Sequence, residues 1–287
     1  MKYSEKIIEG SLLIAALSSI LIILLILLFI VNEGLPILAR AGIVEFVTGS
    51  EWKPATVGGT YGIFPMIVGT LAVTLLALLL GLPLGLGCAI LLSEVAPQWS
   101  RGILKPAIET LAGIPSVVYG FFGLIVIVPF IMDSLGGAGL SVLACGIVLA
   151  IMILPTIISV SEDALRSVPG EYREGALAVG ATKWQMITGI VVPTARSGIL
   201  ASAVLAMGRA IGETMAVWMV SGNTIMIPTS LLSRVAPMTA AIALQWNYAS
   251  GDHRTALFAI GIVLLAIVML LNLIVYMATK ERLVERV

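Results

Sequence analysis

The chain has 287 residues, of which 59% are hydrophobic and only 11% charged, against roughly 45–50% and about 25% in soluble domains. Its formal net charge is zero, which argues against a nucleic-acid-binding surface. Composition therefore excludes a chain whose main solvent is water, and spanning helices of about 20 residues each fill nearly all of it as one membrane domain, residues 1–287.

Six segments are apolar and long enough to span a bilayer: 11–31, 65–92, 107–132, 140–160, 198–220 and 255–278. The first follows a short charged start (Lys2, Lys6) and exceeds the 7–15-residue apolar region of a signal peptide, so it reads as a retained helix. The second carries Gly81, Pro83, Gly85 and Gly87, and the third Gly113, Pro115, Gly120 and Gly123. In membranes such residues favour close helix packing or a kink over ligand binding. Cys88 and Cys145 lie in apolar segments, as small core residues do.

The connector at 161–197 is the most informative stretch. Pro169 near its start, Glu171 and Glu174 in the first turn and Gly180 at the far end mark a short helix over about 169–180. Small residues at Gly175 and Ala176 let another backbone come close, and Glu171, Arg173 and Glu174 offer charges to hold register; the plainer alternative is an amphipathic connector lying on the membrane surface. In the fifth span, Met207 to Met215 reads MGRAIGETM. Charges in an apolar span are costly and mark functional sites by default. Arg209 and Glu213, four residues apart, share one helix face, so each can partly neutralise the other. On the charges alone two readings stand open: an oxyanion-binding arginine on a substrate path, or an ion pair that only fixes helix positions.

The outer segment 221–254 holds turn signals at Gly222-Asn223, Pro228 and Pro237, and Trp246 and Tyr248 at headgroup level. His253, the one histidine, has no neighbours at ligand spacing that point to a metal site. With six spans both termini share a side. Lys2, Lys6, Arg101, Lys105, Arg166, Arg173, Lys183, Arg196, Lys280, Arg282 and Arg286 fall on one face, and only Arg40, Lys53, Arg234 and Arg254 on the other. This bias puts the termini and the 161–197 connector in the cytoplasm.

Two motifs then carry a resemblance. Glu174-Gly175-Ala176, Gly180, Ile190 and Val192-Pro193 resemble the Glu-Ala-Ala loop of ABC importer permeases, with Gly175 for Ala and Val192 for Leu. Residues 208–215 are similar to the Gly-Arg-Ala-x-Gly-Glu-Thr-Met stretch of phosphate-specific ABC importers, and 48–54, 61–65 and 222–224 resemble their C-type permease subunit. The resemblance, from about 40 to 275, implies an all-α, type I ABC importer permease fold in a prokaryotic plasma (inner) membrane, with core helices over about 65–278. It implies passage of inorganic phosphate by Arg209 and Glu213, and a coupling helix that docks on an ATPase through Glu174, Gly175, Ala176 and Gly180. The implied partners are a second related permease subunit, two ATP-binding cassette ATPase subunits, an extracytoplasmic phosphate-binding protein and membrane lipid. No cofactor is expected in this chain: it has no Gly-Lys dipeptide, hence no P-loop, and ATP and Mg belong to the partner ATPase. Rival readings are a permease for molybdate or sulfate, an ion-coupled transporter or channel using Arg209 and Glu213 as a gate, and, weakest, an intramembrane enzyme, for which the spans hold no Ser/His, paired Asp or metal-ligand cluster.

Overall fold

The structure, a computed structural model, describes residues 2–56 and 58–284. Of the basic residues counted above, Arg286 lies outside the described residues, as do the side chains of Lys2, Lys6, Lys280 and Arg282. In chain order the first elements are α1 (Lys2–Ala41), α2 (Ile43–Thr48), a hairpin of β1 (Trp52–Lys53) and β2 (Thr60–Tyr61), α3 (Phe64–Ile90) and α4 (Gln98–Ala112). Next come α5 (Ser116–Phe122), α6 (Val128–Leu135), α7 (Val142–Arg166), α8 (Gly170–Ala178), α9 (Lys183–Met186) and α10 (Val192–Thr194). The last are α11 (Arg196–Gly212), α12 (Met215–Val220), α13 (Met238–Gln245) and α14 (Asp252–Val284). π-helical turns close α3 (Leu91–Val95) and join α5 to α6 (Gly123–Ile127) and α9 to α10 (Ile187–Val191).

Five of the described helical stretches are long and apolar enough to cross a membrane: Ile8–Ala41, Phe64–Val95, Ser116–Leu135, Val142–Arg166 and Asp252–Met277. A sixth is the pair Lys183–Thr194 and Arg196–Gly212, bent by 67°. Two expected spans are corrected in detail. The third starts at Ser116, not 107, because Gly113 and Pro115 separate it from α4; a proline disfavours helical backbone at the residue before it. The fifth, expected as one helix over 198–220, stops at Gly212 and restarts at Met215. The first helix outruns 11–31 at both ends and stops at Gly42, whose φ of 82° suits a residue without Cβ.

The chain forms two compact units. One comprises Met1–Ile63 with Gln245–Leu265. In it a Cβ on Gly34 would fall 2.8 Å from the backbone nitrogen of Ala259, so α1 and the start of α14 approach backbone to backbone. Phe29 and Trp246 both stand edge-on to Phe258, with ring centroids 5.5 and 5.4 Å away. Trp52 Nε1 donates to Gln245 Oε1 at 2.8 Å, and His253 Nε2 meets the same oxygen at 2.8 Å. Tyr248 stands edge-on to His253 but stays exposed.

The other unit is Phe64–Leu244 with Ala266–Val287. Its core centres on α7, whose apolar residues Val148, Leu149, Met152, Ile153 and Ile157 are buried. The glycines of α3 let α7 lie close: a Cβ on Gly85 would sit 2.6 Å from Ile157 Cγ2. Likewise a Cβ on Gly120 would sit 2.8 Å from Ala216 Cα, which sets α5 directly on α12. Ser161 and Ser202 share a buried hydrogen bond of 2.9 Å that joins α7 to α11.

Candidate functional site

Both motifs of the sequence, 207–215 and 169–180, have a definite geometry in the structure. At the first, α11 carries Arg209 in its last turn and ends at Gly212. Glu213 leaves the helix with extended backbone (φ −68°, ψ 130°). Its carboxylate Oε1 accepts the Ala216 N–H at 3.0 Å, in the first turn of α12, and its carbonyl accepts the Thr239 hydroxyl at 2.7 Å. Both bonds hold the break, since a helix start leaves N–H groups without intrahelical partners.

The expected Arg209–Glu213 ion pair is therefore not formed: among the described residues no salt bridge joins them. The i,i+4 rule presumes a continuous helix, and Glu213 stands past its end. Arg209 instead donates through Nη1 to Thr156 Oγ1 of α7 at 3.3 Å. A guanidinium has five N–H donors and is charged at any physiological pH. Here it is half-buried, and among the described residues its side-chain hydrogen bond goes to a neutral hydroxyl rather than to a carboxylate. Thr156 and Thr239 escaped the sequence reading. Thr156 follows Pro155 inside α7, a weak signal, and the role of Thr239 depends on a tertiary contact that no local pattern carries.

At the second place, α8 begins after Pro169 and ends in a Schellman motif: Ala181 N–H donates to Ala176 O at 3.1 Å and Gly180 N–H to Leu177 O at 3.0 Å. Gly180 supplies the left-handed residue, with φ 86°. Glu174 and Gly175 are exposed, and a Cβ on Gly175 would meet nothing within 4 Å. Ala176 points the other way, buried among Ala89, Leu165, Val168, Met186 and Ile187. Arg173 likewise turns inward onto Glu94, Leu165 and Val168. The small residues thus face opposite sides, with Gly175 out and Ala176 in. Around the outward face Tyr172, Leu177, Val179 and Trp184 are exposed.

A further cluster was not foreseen. Lys105 of α4 donates to Glu162 and, at 2.7 Å, to Asp163 of α7, while Arg166 donates to Glu162 at 3.3 Å. Glu162 is buried, and hydrogen bonds to Asp163 first and Glu162 next raise the Lys105 pKa above the ordinary lysine value. Among the described residues no group of three or more His, Cys, Asp or Glu is placed to hold a metal ion.

Residues 81–281 match the family described as the binding-protein-dependent transport system inner membrane component. The chain belongs to that family. This permease is 41% identical to the probable ABC transporter permease protein YqgH of Bacillus subtilis, over 96% of this chain and 92% of that protein. It is 39% identical to the phosphate transport system permease protein PstC of Xylella fastidiosa, with 77% and 74% covered. With PstC of Haemophilus influenzae it shares 38% identity over 82% and 81%. Among solved structures it is similar to a bacterial ABC transporter involved in import of alginate (TM-score 0.63, 18% identity, 96% of this chain and 99% of that one covered). It is also similar to the inward-facing MetNI methionine transporter (TM-score 0.60, 20% identity, 76% and 95% covered). The permease thus has the type I ABC importer fold. Membership places it in the inner membrane as a transport component that is not itself catalytic, and implies an ATPase and a binding protein as partners.

Proposed function

We propose that this permease carries inorganic phosphate into the cytoplasm, and that Arg209 is its contact with the anion in transit. The observation that carries the reading is the setting of Arg209: a permanent cation in an apolar span that, among the described residues, forms no salt bridge and donates to the Thr156 hydroxyl. A planar guanidinium matches a phosphate oxyanion, and the relatives from Xylella and Haemophilus are phosphate transport permeases. Glu213 acts on the same path by holding the break that ends α11 beside Arg209.

The working complex pairs this chain with a second related permease subunit, two ATPase subunits that bind ATP and Mg, and an extracytoplasmic phosphate-binding protein. Both termini and α8 face the cytoplasm. There α8 docks on the ATPase through Glu174, Gly175 and the apolar side chains around them, while Ala176 and Gly180 fix its seat and its end. ATP binding and hydrolysis, passed through α8, open the path alternately to each side.

Replacement of Arg209 is the test. Since among the described residues no carboxylate is paired with it, Arg209→Gln strands no described charge, and the complex should assemble normally. Labelled phosphate uptake in proteoliposomes should fall by about ten- to a hundred-fold, the worth of a hydrogen bond to a charged group. Arg209→Lys should be impaired as well, since an ammonium lacks the fork. Parental uptake by Arg209→Gln would remove Arg209 from the path.

A further inference from the structure

One contact near α8 ties three separate elements together. Glu94 lies in the π-helical turn that closes α3, and its side chain is only 5% exposed. The guanidinium of Arg173 grips it with two bonds, Nη2 to Oε1 at 2.8 Å and Nε to Oε2 at 3.3 Å. The same guanidinium donates to Leu165 O, at the end of α7, at 2.8 Å, and to Val168 O in the linker that follows. Thus α8, the end of α7 and the end of α3 are fastened by one side chain. Ala176 one turn on adds an apolar seat that includes Ala89 of α3 and Leu165 of α7.

An arginine held bidentately on a buried carboxylate fixes geometry more firmly than a lone contact, because two parallel bonds fix orientation as well as distance. Such pairs contribute little net stability, and their best-attested use is to fix register. Here the placed element is the helix read above as the ATPase dock, and α3 is the long helix packed on α7. We infer that Glu94 is a positioning residue which, through Arg173, makes α8 and the ends of α3 and α7 move as one body, so that a push on α8 is delivered to α3. This rests on the docking role of α8 proposed above.

The test uses the assembled importer in proteoliposomes and reads ATP hydrolysed per phosphate imported. In Glu94→Gln and Arg173→Lys the ATPase subunits should still bind and hydrolyse, while ATP consumed per phosphate rises on the order of ten-fold, within the range of coupling between sites. The double variant Glu94→Gln with Arg173→Gln leaves no buried charge unpaired, so it assembles even where a single change does not, and should show the same rise. A parental ratio in the double variant, or hydrolysis and uptake falling in step in the single variants, overturns the inference. Gly175→Trp, on the exposed side, tests the dock by itself. Normal assembly and a normal ratio there would remove the dock and the inference with it. A raised ratio there beside parental Glu94 variants would remove the Glu94 link alone.

Discussion

Glu213 holds a helix break with both of its acceptors, and the two can be separated by substitution. Glu213→Gln keeps an oxygen for the Ala216 N–H and leaves the carbonyl bond to Thr239 in place, so uptake should stay within about twofold of the parent, as for a surface-scale change. Glu213→Ala loses the bond to the Ala216 N–H, costing about 1 kcal/mol, which a lowered thermal midpoint of the detergent-solubilised complex would register. Loss of transport in Glu213→Gln as deep as in Arg209→Gln would mean that the carboxylate charge itself takes part in passage. Lys105 gives a residue-scale expectation of another kind. Its raised pKa means that its contribution is fully present below the ordinary lysine value of about 10.4 and is lost as pH rises through the higher folded value. Lys105→Met should therefore destabilise the complex throughout pH 7–9, by about 1.5–3 kcal/mol for the charged bonds lost, read as a lowered midpoint. In the parent, alkaline titration of this group should leave that range flat.

Among the elements, the contact of α3 with α7 leaves no room for added volume at Gly85. Gly85→Leu drives a side chain into Ile157 and should destabilise by about 1–3 kcal/mol, seen as reduced yield and a lower midpoint. Gly87→Leu, where nothing lies within 4 Å, should be tolerated; equal damage from both would mean that the approach at Gly85 does not set the packing. The long apolar runs and the short helix at 169–180 could be read from sequence because each leaves a local record: uninterrupted hydropathy in one case, flanking Pro169 and Gly180 in the other. The break at Glu213 could not. An i,i+4 pair of opposite charges has the same pattern whether the helix continues or stops, and here tertiary bonds to Thr239 and Ala216 decide. Long-range partners such as Glu94 for Arg173, 79 residues away, leave no trace in spacing at all. The facing of Gly175 and Ala176 was hidden for a related reason: adjacent helical residues point to different sides, and only the packed neighbours tell which side is inward.

At the scale of the whole molecule, the charge bias and the transport assignment make separate claims. With Cys88 and Cys145 replaced by Ser and Ala, a cysteine at exposed Gly175 should react with a membrane-impermeant reagent in inside-out vesicles and stay unlabelled in intact cells; labelling from outside would reverse the orientation. The central claim is that this permease passes phosphate. Uptake of labelled phosphate, sulfate and molybdate by the reconstituted importer, each at equal concentration with and without ATP and the binding protein, tests it most directly. Phosphate alone should accumulate, only with ATP and binding protein both present, and Arg209→Gln should abolish most of it. Equal uptake of sulfate or molybdate, or no phosphate uptake by an importer that hydrolyses ATP in response to another anion, would contradict the account.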